Sequence, residues 1–430
     1  MALLLSNTIY KLFKVTKLSK GTAFPGKIAL SVCPNFLHYA NSYVRNKKIN
    51  ITGTNGKTTT TGLLTHILKH SGSKIINNSL GANMLTGVVT TFATQIAFLK
   101  KYDYSIIESD EGYLEKIYEH LCGDYLIVTN LFRDQTDRYG DISITKKLIQ
   151  KAIDKNPNIT LFLNADDPNV SDLINSNIIY YGINSISYAE NNTSKLDDNE
   201  KSYNCTCGKS LHYEKIFYAN EGHYYCDCGK KRPQAKYNAD LIMYKDYFIL
   251  NINNEKFKVP LSGLYNAYNA LAAISMAIEL GVSNIQEALD NFHVAFGRSE
   301  IRYLNKKPAL IQLIKNPIGA NEVLKTIDLN SAVLIAVNDN YADGRDISWL
   351  WEANFEILKD LKSEIIVTGT RANDIALRLQ YADCKNVKII SNLNDAINSI
   401  SKTDAEKITI YPTYTALLKI NEMKCFKLKF

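Results

Sequence analysis

The chain has 430 residues, enough for two or three domains with a substantial buried core. Hydrophobic content of 46%, charge of 22% and nine prolines against 21 glycines exclude a collagenous, low-complexity or wholly disordered chain. The net charge of +7 is uneven, because no Asp or Glu precedes Asp103 while Lys11, Lys14, Lys17, Lys20 and Lys27 crowd the start. Residues 1–48 therefore read as a basic N-terminal segment that seeks an anionic surface.

The apolar run Ala2–Leu5 is far shorter than the roughly 7–15 residues of a signal-peptide core, so this end reads as mature protein. No stretch approaches the ~18 apolar residues of a membrane span. A soluble, cytoplasmic protein is expected, peripheral at most to the inner face of the plasma membrane. Ile49-Asn50-Ile51 then leads as a strand into Thr52-Gly53-Thr54-Asn55-Gly56-Lys57-Thr58-Thr59-Thr60, followed by helical spacing at Leu63, Leu64, Ile67 and Leu68. This is a variant phosphate loop, with Ile51 where the standard pattern has its first glycine. The physics survives: Gly53 and Gly56 let backbone N–H groups turn towards phosphates, Lys57 neutralises them from an exposed loop, and Thr58 offers a hydroxyl to Mg²⁺. The apolar run Tyr104–Ile107 ends in Glu108, the candidate magnesium carboxylate.

Further apolar runs at Tyr125–Val128 and Ile159–Leu163 alternate with helical stretches, the pattern of βαβ units on a mostly parallel sheet. Residues 203–233 interrupt it. Cys205-Thr-Cys207-Gly208 and Cys226-Asp-Cys228-Gly229 form two knuckles with the ligand set of a structural Cys₄ zinc site, although each is C-x-C where zinc ribbons read C-x-x-C. His223 is a substitute ligand or a surface histidine. A second α/β series follows from about Pro308, with strands expected at Ala332–Val337, Glu364–Thr368, Val387–Ile390 and Ile408–Tyr411, and a boundary near residue 300.

The phosphate loop, Glu108, Asn130-Leu-Phe-Arg-Asp134-Gln-Thr-Asp137-Arg-Tyr-Gly140, Leu163-Asn-Ala-Asp-Asp-Pro168, Gly263-Leu-Tyr-Asn266-Ala-Tyr-Asn269 and Gly297-Arg298-Ser-Glu300 occur in one order. That series resembles the Mur ligases over residues 49–300. The cysteine insert, Asn338-Asp-Asn-Tyr-Ala-Asp343-Gly-Arg-Asp346-Ile-Ser-Trp349-Leu-Trp351, Gly369-Thr-Arg371 and Tyr411-Pro-Thr-Tyr414-Thr415 extend the likeness to the MurT family, the synthetase subunits of lipid II isoglutaminyl synthases.

The resemblance implies a Mur ligase-type α/β domain at 49–300 carrying a zinc-ribbon-like insert, then a Rossmann-like α/β domain at 301–430 that contacts a partner. It implies ATP and Mg²⁺ as cofactors. A carboxylate becomes an acyl phosphate that ammonia attacks, so that the D-glutamate α-carboxyl of the lipid II stem peptide becomes D-isoglutamine at the membrane surface. The ammonia comes from a GatD-like glutaminase in a heterodimer. Carried over by position, Gly53, Thr54, Asn55, Gly56, Lys57, Thr58 and Thr59 hold the phosphates, with Thr58 and Glu108 on magnesium. Asn269 meets the adenine side, and Arg298 faces the phosphates across the domain cleft. Gln135 departs from the histidine of many Mur ligases, which favours a specialised member.

A glutaminase nucleophile is a Cys activated by His and oriented by a carboxylate. The resemblance has the C-terminal domain supply that acid, Asp346 or else Asp343, although acids flanking Gly344-Arg345 also suit a capped turn. Two rival functions fit the sequence less well. A ligase adding an amino acid to a nucleotide precursor, or glutamate to a folate, needs more chain before residue 53. A zinc-ribbon nucleic-acid-dependent ATPase needs basic residues interleaved with aromatics, which are missing, so no nucleic-acid partner is expected.

Overall fold

The computed structural model describes residues 24–78, 82–97, 100–121, 123–132, 142–189, 203–292 and 298–427. They fall into two compact units, one of 24–132 with 142–292, the other of 298–427. Gln135 and its neighbours from 133 to 141 lie outside the described residues.

The first unit opens with α1 (Phe24–Val32) and α2 (Phe36–Asn41). Ala29, Phe36, Leu37 and Ala40 of these helices join one buried cluster with Val88 and Phe92. Residues 24–48 are thus built into the first unit, and the strand that holds the phosphate loop starts within them.

Its strands are β1 (Val44–Thr52), β2 (Ile75–Asn77), β3 (Tyr102–Glu108), β4 (Tyr125–Val128), β5 (Thr160–Asn164), β6 (Ile178–Tyr188), the hairpin β7 (His212–Tyr218) and β8 (Glu221–Tyr225), then β9 (Tyr237–Met243), β10 (Phe248–Ile252) and β11 (Glu255–Val259). Nine of them form a sheet in the order β11-β10-β9-β6-β5-β4-β1-β3-β2. Pairing is parallel from β2 through to β9, and only β10 and β11 run antiparallel. Inner parallel strands are covered on both faces, which is why Ile49–Thr52 and Leu126–Val128 are buried without alternation. Register pairs Ile51 with Glu108 on one side and with Ile127 on the other, so the ends of three strands meet at the phosphate loop.

Helix α3 (Lys57–His70) follows that loop. Its run Thr58–Thr61 is a poor helix former, because β-branched side chains lose χ1 freedom. Tertiary packing overrides the propensity: Thr59, Thr60, Thr61, Leu63, Leu64, Ile67 and Leu68 are all buried. The Thr60 hydroxyl reaches the Asn269 carbonyl at 3.5 Å, on a helix, α4 (Leu264–Glu279), whose alanines permit close approach.

One polar network ties these elements together. Asp166 and Asp167 follow β5 and are both fully buried. Asp166 accepts from Arg232 Nε at 2.6 Å, the Ile183 N–H at 2.7 Å and the Tyr268 hydroxyl at 2.9 Å. Asp167 accepts from the Leu131 N–H at 2.8 Å, the Asn169 N–H at 2.8 Å and Asn220 Nδ2 at 3.2 Å. Burial pushes both carboxyls up against these partners, Asp167 to about 6.

The second unit has a seven-stranded sheet in the order β16-β15-β14-β17-β13-β12-β18. Its strands are β12 (Arg298–Leu304), β13 (Lys307–Gln312), β14 (Ala332–Ala336), β15 (Ile365–Thr368), β16 (Val387–Ile389), β17 (Ile408–Pro412) and β18 (Phe426–Lys427). Strands β16, β15, β14, β17 and β13 are parallel, β16 forming one edge, and β12 and β18 close the other edge antiparallel. Residues 298–300 belong to β12 and hence to this second sheet. Among the described residues no helix is long and apolar enough to cross a membrane.

Replacing Arg232 by Met strands the Asp166 carboxylate, which has no exposed side-chain surface, without its cation. Breaking one partner of a buried pair costs about 3 kcal/mol or more. The R232M protein is expected to lose that much in urea unfolding of the first unit, and a loss below ~1 kcal/mol would show that the network is not held by this pair.

Candidate functional site

The phosphate loop is shaped by two glycines and a strap. Gly53 and Gly56 sit at φ +128° and +86°, the region that side chains avoid. A Cβ on Gly53 would stand 2.2 Å from Thr129 Oγ1, and one on Gly56 only 1.9 Å from Asn269 Oδ1. The strap is Thr129–Phe132, just past β4. The Thr54 N–H donates to the Asn130 carbonyl at 2.9 Å, and the Asn55 N–H donates to Asn130 Oδ1 at 2.8 Å. The Thr129 hydroxyl donates to the Asn55 carbonyl at 2.7 Å, and the Phe132 N–H reaches Thr54 Oγ1 at 3.0 Å. The shape of the loop is therefore held by the chain's own groups, as electrostatic preorganisation requires.

Lys57 differs from the sequence expectation of an exposed side chain. It is only 12% exposed, and its ammonium donates to the Gly53 carbonyl and to Glu111 Oε1, the latter at 2.8 Å. Burial alone would lower the lysine, but Glu111, Glu108 and Asp110 outweigh it and hold Lys57 protonated. Burial pushes Glu111 up, against the pull of Lys57. Glu111 was not singled out in the sequence, because it lies 54 residues from Lys57 and only the fold joins them.

Glu108 ends β3 and is buried, at 4% exposure, not a solvated loop acid. Asn78 grips its backbone on both sides, accepting from the Glu108 N–H at 2.9 Å and donating to its carbonyl at 2.7 Å, and Asn83 Nδ2 donates to Oε1 at 3.1 Å. These asparagines also escaped the sequence reading. Thr58 opens α3 half-buried, and Thr59 is buried behind it. The fold thus brings Gly53–Thr59, Glu108 and Asn269 together in the first unit. Arg298 opens β12 in the second unit, and its side chain lies outside the described atoms.

The four insert cysteines also converge. Cys205 Sγ lies 3.7 Å from Cys228 Sγ and Cys207 Sγ lies 3.7 Å from Cys226 Sγ, with all four within 4.8 Å of one another. A tetrahedron of thiolates about 2.3 Å from Zn²⁺ has edges of ~3.8 Å, so the donor set fits that ion despite the shortened spacing. Each knuckle makes the same turn: Cys205 N–H to the Lys209 carbonyl and Gly208 N–H to the Cys205 carbonyl, repeated by Cys226 with Lys230 and by Gly229 with Cys226. His223 is not in the cluster; its Nε2 meets the Ile183 carbonyl at 2.9 Å.

In the second unit, the motifs singled out in the sequence gather at the carboxyl ends of β14, β15 and β17. The Thr370 N–H donates to Asn338 Oδ1 at 3.0 Å, and Asn338 Nδ2 donates to Thr415 Oγ1 at 2.9 Å. Asp343 is buried within this network, taking the Thr415 N–H at 2.7 Å and its hydroxyl at 2.6 Å. Asp346 is half-exposed and accepts the Ser348 N–H at 2.8 Å, just ahead of α5 (Trp349–Glu352). The two acids therefore differ in burial, Asp343 lying inside the network and Asp346 half-exposed.

Comparison with known proteins matches these features. Residues 51–277 fit the Mur ligase middle domain, and residues 313–417 fit the MurT ligase C-terminal domain. The lipid II isoglutaminyl synthase (glutamine-hydrolyzing) subunit MurT of Staphylococcus aureus strain COL is 38% identical over 413 residues, 94% of this chain and 92% of that protein. The subunit of the same name from Streptococcus pneumoniae is 36% identical over 428 residues, covering 96% and 94%. Among solved structures, a pseudomurein peptide ligase type C from Methanothermus fervidus superposes with a TM-score of 0.70 at 24% identity, over 88% of this chain and 78% of that one, which shows the shared fold. A phosphate loop held by its strap, a C-terminal sheet bearing the Asp343–Asp346 segment and these full-length matches agree: the chain belongs to the MurT family of Mur ligases and is an ATP-dependent ligase.

Proposed function

We propose that the chain is the synthetase subunit of a glutamine-dependent amidotransferase that converts the D-glutamate α-carboxyl of the lipid II stem peptide to D-isoglutamine. The observation that carries this reading is the strapped phosphate loop, with buried Glu108 and Lys57 beside it, in a chain that matches MurT subunits along nearly its whole length. In this reading the loop Gly53–Thr59 wraps the nucleotide phosphates, with the N–H groups that open α3 and the Lys57 ammonium as donors, since the Thr54 and Asn55 N–H groups are taken by Asn130. Thr58 and Glu108 hold Mg²⁺, which supplies charge neutralisation at those phosphates. Asn269 and Arg298 keep the adenine and phosphate roles that the resemblance gives them.

A carboxylate oxygen of the substrate attacks the γ-phosphorus and ADP leaves. Ammonia then attacks the carbonyl carbon of the acyl phosphate, the bond to phosphate breaks, and the nitrogen loses one proton to leave the amide. Residues 301–430 meet a GatD-like glutaminase, and Asp346 completes that partner's Cys/His pair as the orienting carboxylate. Asp346 suits this task better than Asp343 because it is half-exposed, whereas Asp343 is buried beneath Thr415 and the Asn340 N–H. Cys205, Cys207, Cys226 and Cys228 hold one structural zinc ion.

Lys57→Ala is expected to abolish ATP-dependent amidation. Glu111→Gln frees the lysine from its competing anion, and Mg²⁺-free ADP should bind about tenfold tighter by calorimetry. Unchanged affinity would mean that Glu111 does not compete with phosphate for Lys57.

Metal analysis of protein purified without chelator is expected to give about one zinc per chain, lost when Cys205 and Cys226 are both replaced by Ser. Metal-free wild-type protein would overturn the zinc assignment.

Asp346→Asn should cut glutamine-driven amidation by up to ~10⁴-fold while sparing turnover on free ammonium at high pH, because only stabilisation of the partner's imidazolium is lost. If D343N rather than D346N gave that split, the orienting acid would be Asp343; if neither did, the shared triad would be wrong.

A further inference from the structure

The cysteine insert reaches the phosphate loop through an unbroken chain of contacts. At its outer end the β7–β8 hairpin carries the knuckles, since β7 begins at His212, five residues past Cys207, and Cys226 follows β8 directly. At its inner end the hairpin turn, Ala219-Asn220, lies against the strap that shapes the loop. Asn220 Nδ2 donates to Asp167 Oδ1 at 3.2 Å, and the other oxygen of Asp167 accepts the Leu131 N–H at 2.8 Å. Leu131 directly follows Asn130, whose side chain takes the Asn55 N–H of the phosphate loop. Beside this path, the rings of Tyr218 and Phe132 meet edge to face with centroids 5.7 Å apart.

The hairpin cannot slide independently of this path. Arg232, four residues past Cys228, is ion-paired to Asp166, and its N–H donates to the Tyr224 carbonyl at 2.9 Å. Lys230 bridges to Asp172 at 2.7 Å and donates to the Pro168 carbonyl at 2.7 Å. Tyr213 OH donates to the Asn220 carbonyl at 2.9 Å, which fixes the turn against the hairpin's own strand. Beside the knuckles, Leu211 and Tyr224 pack with Cys205 and Cys226 in a small apolar cluster. The same hairpin therefore carries the cysteines at one end and the contact with the strap at the other.

We infer that the cysteine insert is a brace for the phosphate loop: closure of the four thiolates fixes the β7–β8 turn, and Asn220 passes that constraint through Asp167 and the Asn130 strap to the loop backbone at Thr54 and Asn55. Asn220 is a positioning residue in this scheme and touches no ligand. The brace rests on the zinc reading for its outer end only, while the path from Asn220 to the loop stands on protein contacts alone.

The test uses the full-length chain with its partner, ADP as probe, and two readouts: the dissociation constant by calorimetry and deuterium uptake of a peptide spanning residues 52–57. Asn220→Ala removes one hydrogen bond, and ADP affinity is expected to fall about three- to tenfold, with faster exchange in that peptide and zinc content unchanged. Cys228→Ser is expected to release zinc and to weaken ADP by at least as much. In the double variant the two effects should not add, because both act along one path. Wild-type affinity and exchange in N220A would overturn the brace whatever the metal content. Fully additive losses would also overturn it, since the knuckles would then act by another route. Zinc absent from the wild type, with N220A still impaired, would remove the zinc reading and leave the inner path standing.

Discussion

Two adjacent carboxylates with no exposed surface organise the first unit. A buried charge is costly unless each lone pair finds a donor, so Asp166 and Asp167 can be accommodated only where donors from several elements converge. They draw in Arg232 and Asn220 from the insert, Leu131 from the strap and Tyr268 from the helix that flanks α3. Hydrophobic packing is tolerant of small slips, whereas a hydrogen-bonded carboxylate is not. The position of the phosphate loop relative to that helix is thereby fixed to within the tolerance of a hydrogen bond.

Legibility in the sequence follows the range of the interactions. The phosphate loop could be read because its chemistry is local: two glycines, a lysine and a hydroxyl within a few residues, between an apolar run and a helical one. The parallel sheet was legible for the same reason, since buried inner strands such as Tyr125–Val128 are continuous apolar runs. What could not be read were pairings made only by the fold. Lys57 looked like a residue of an exposed loop because Glu111, its partner, lies on the far side of β3. Asp166 and Asp167 were visible as a motif, but nothing local says that they bind an arginine 66 residues ahead and a tyrosine 102 residues ahead. The cysteines were legible as a set, while their approach to a common centre depends on two matching turns that C-x-C spacing does not announce.

The second unit applies the same logic with smaller groups. Asn338, Thr370, Thr413 and Thr415 bind one another across the carboxyl ends of three parallel strands, and Asp343 draws the following loop onto them. Asp346, three residues on, is half-exposed. Sequence alone presented the two as near equivalents flanking Gly344-Arg345, and burial is what distinguishes them.

The contact between Gly56 and Asn269 has an evolutionary corollary. Because the asparagine amide occupies the space that a side chain at position 56 would need, the two positions form one steric unit, although one lies in the phosphate loop and the other in a helix far along the chain. Drift at either is confined by the other, independently of any demand from the nucleotide. Invariance of that glycine across relatives would therefore record the history of a helix as much as that of a ligand, and recombination between distant homologues should succeed only when both segments are inherited together.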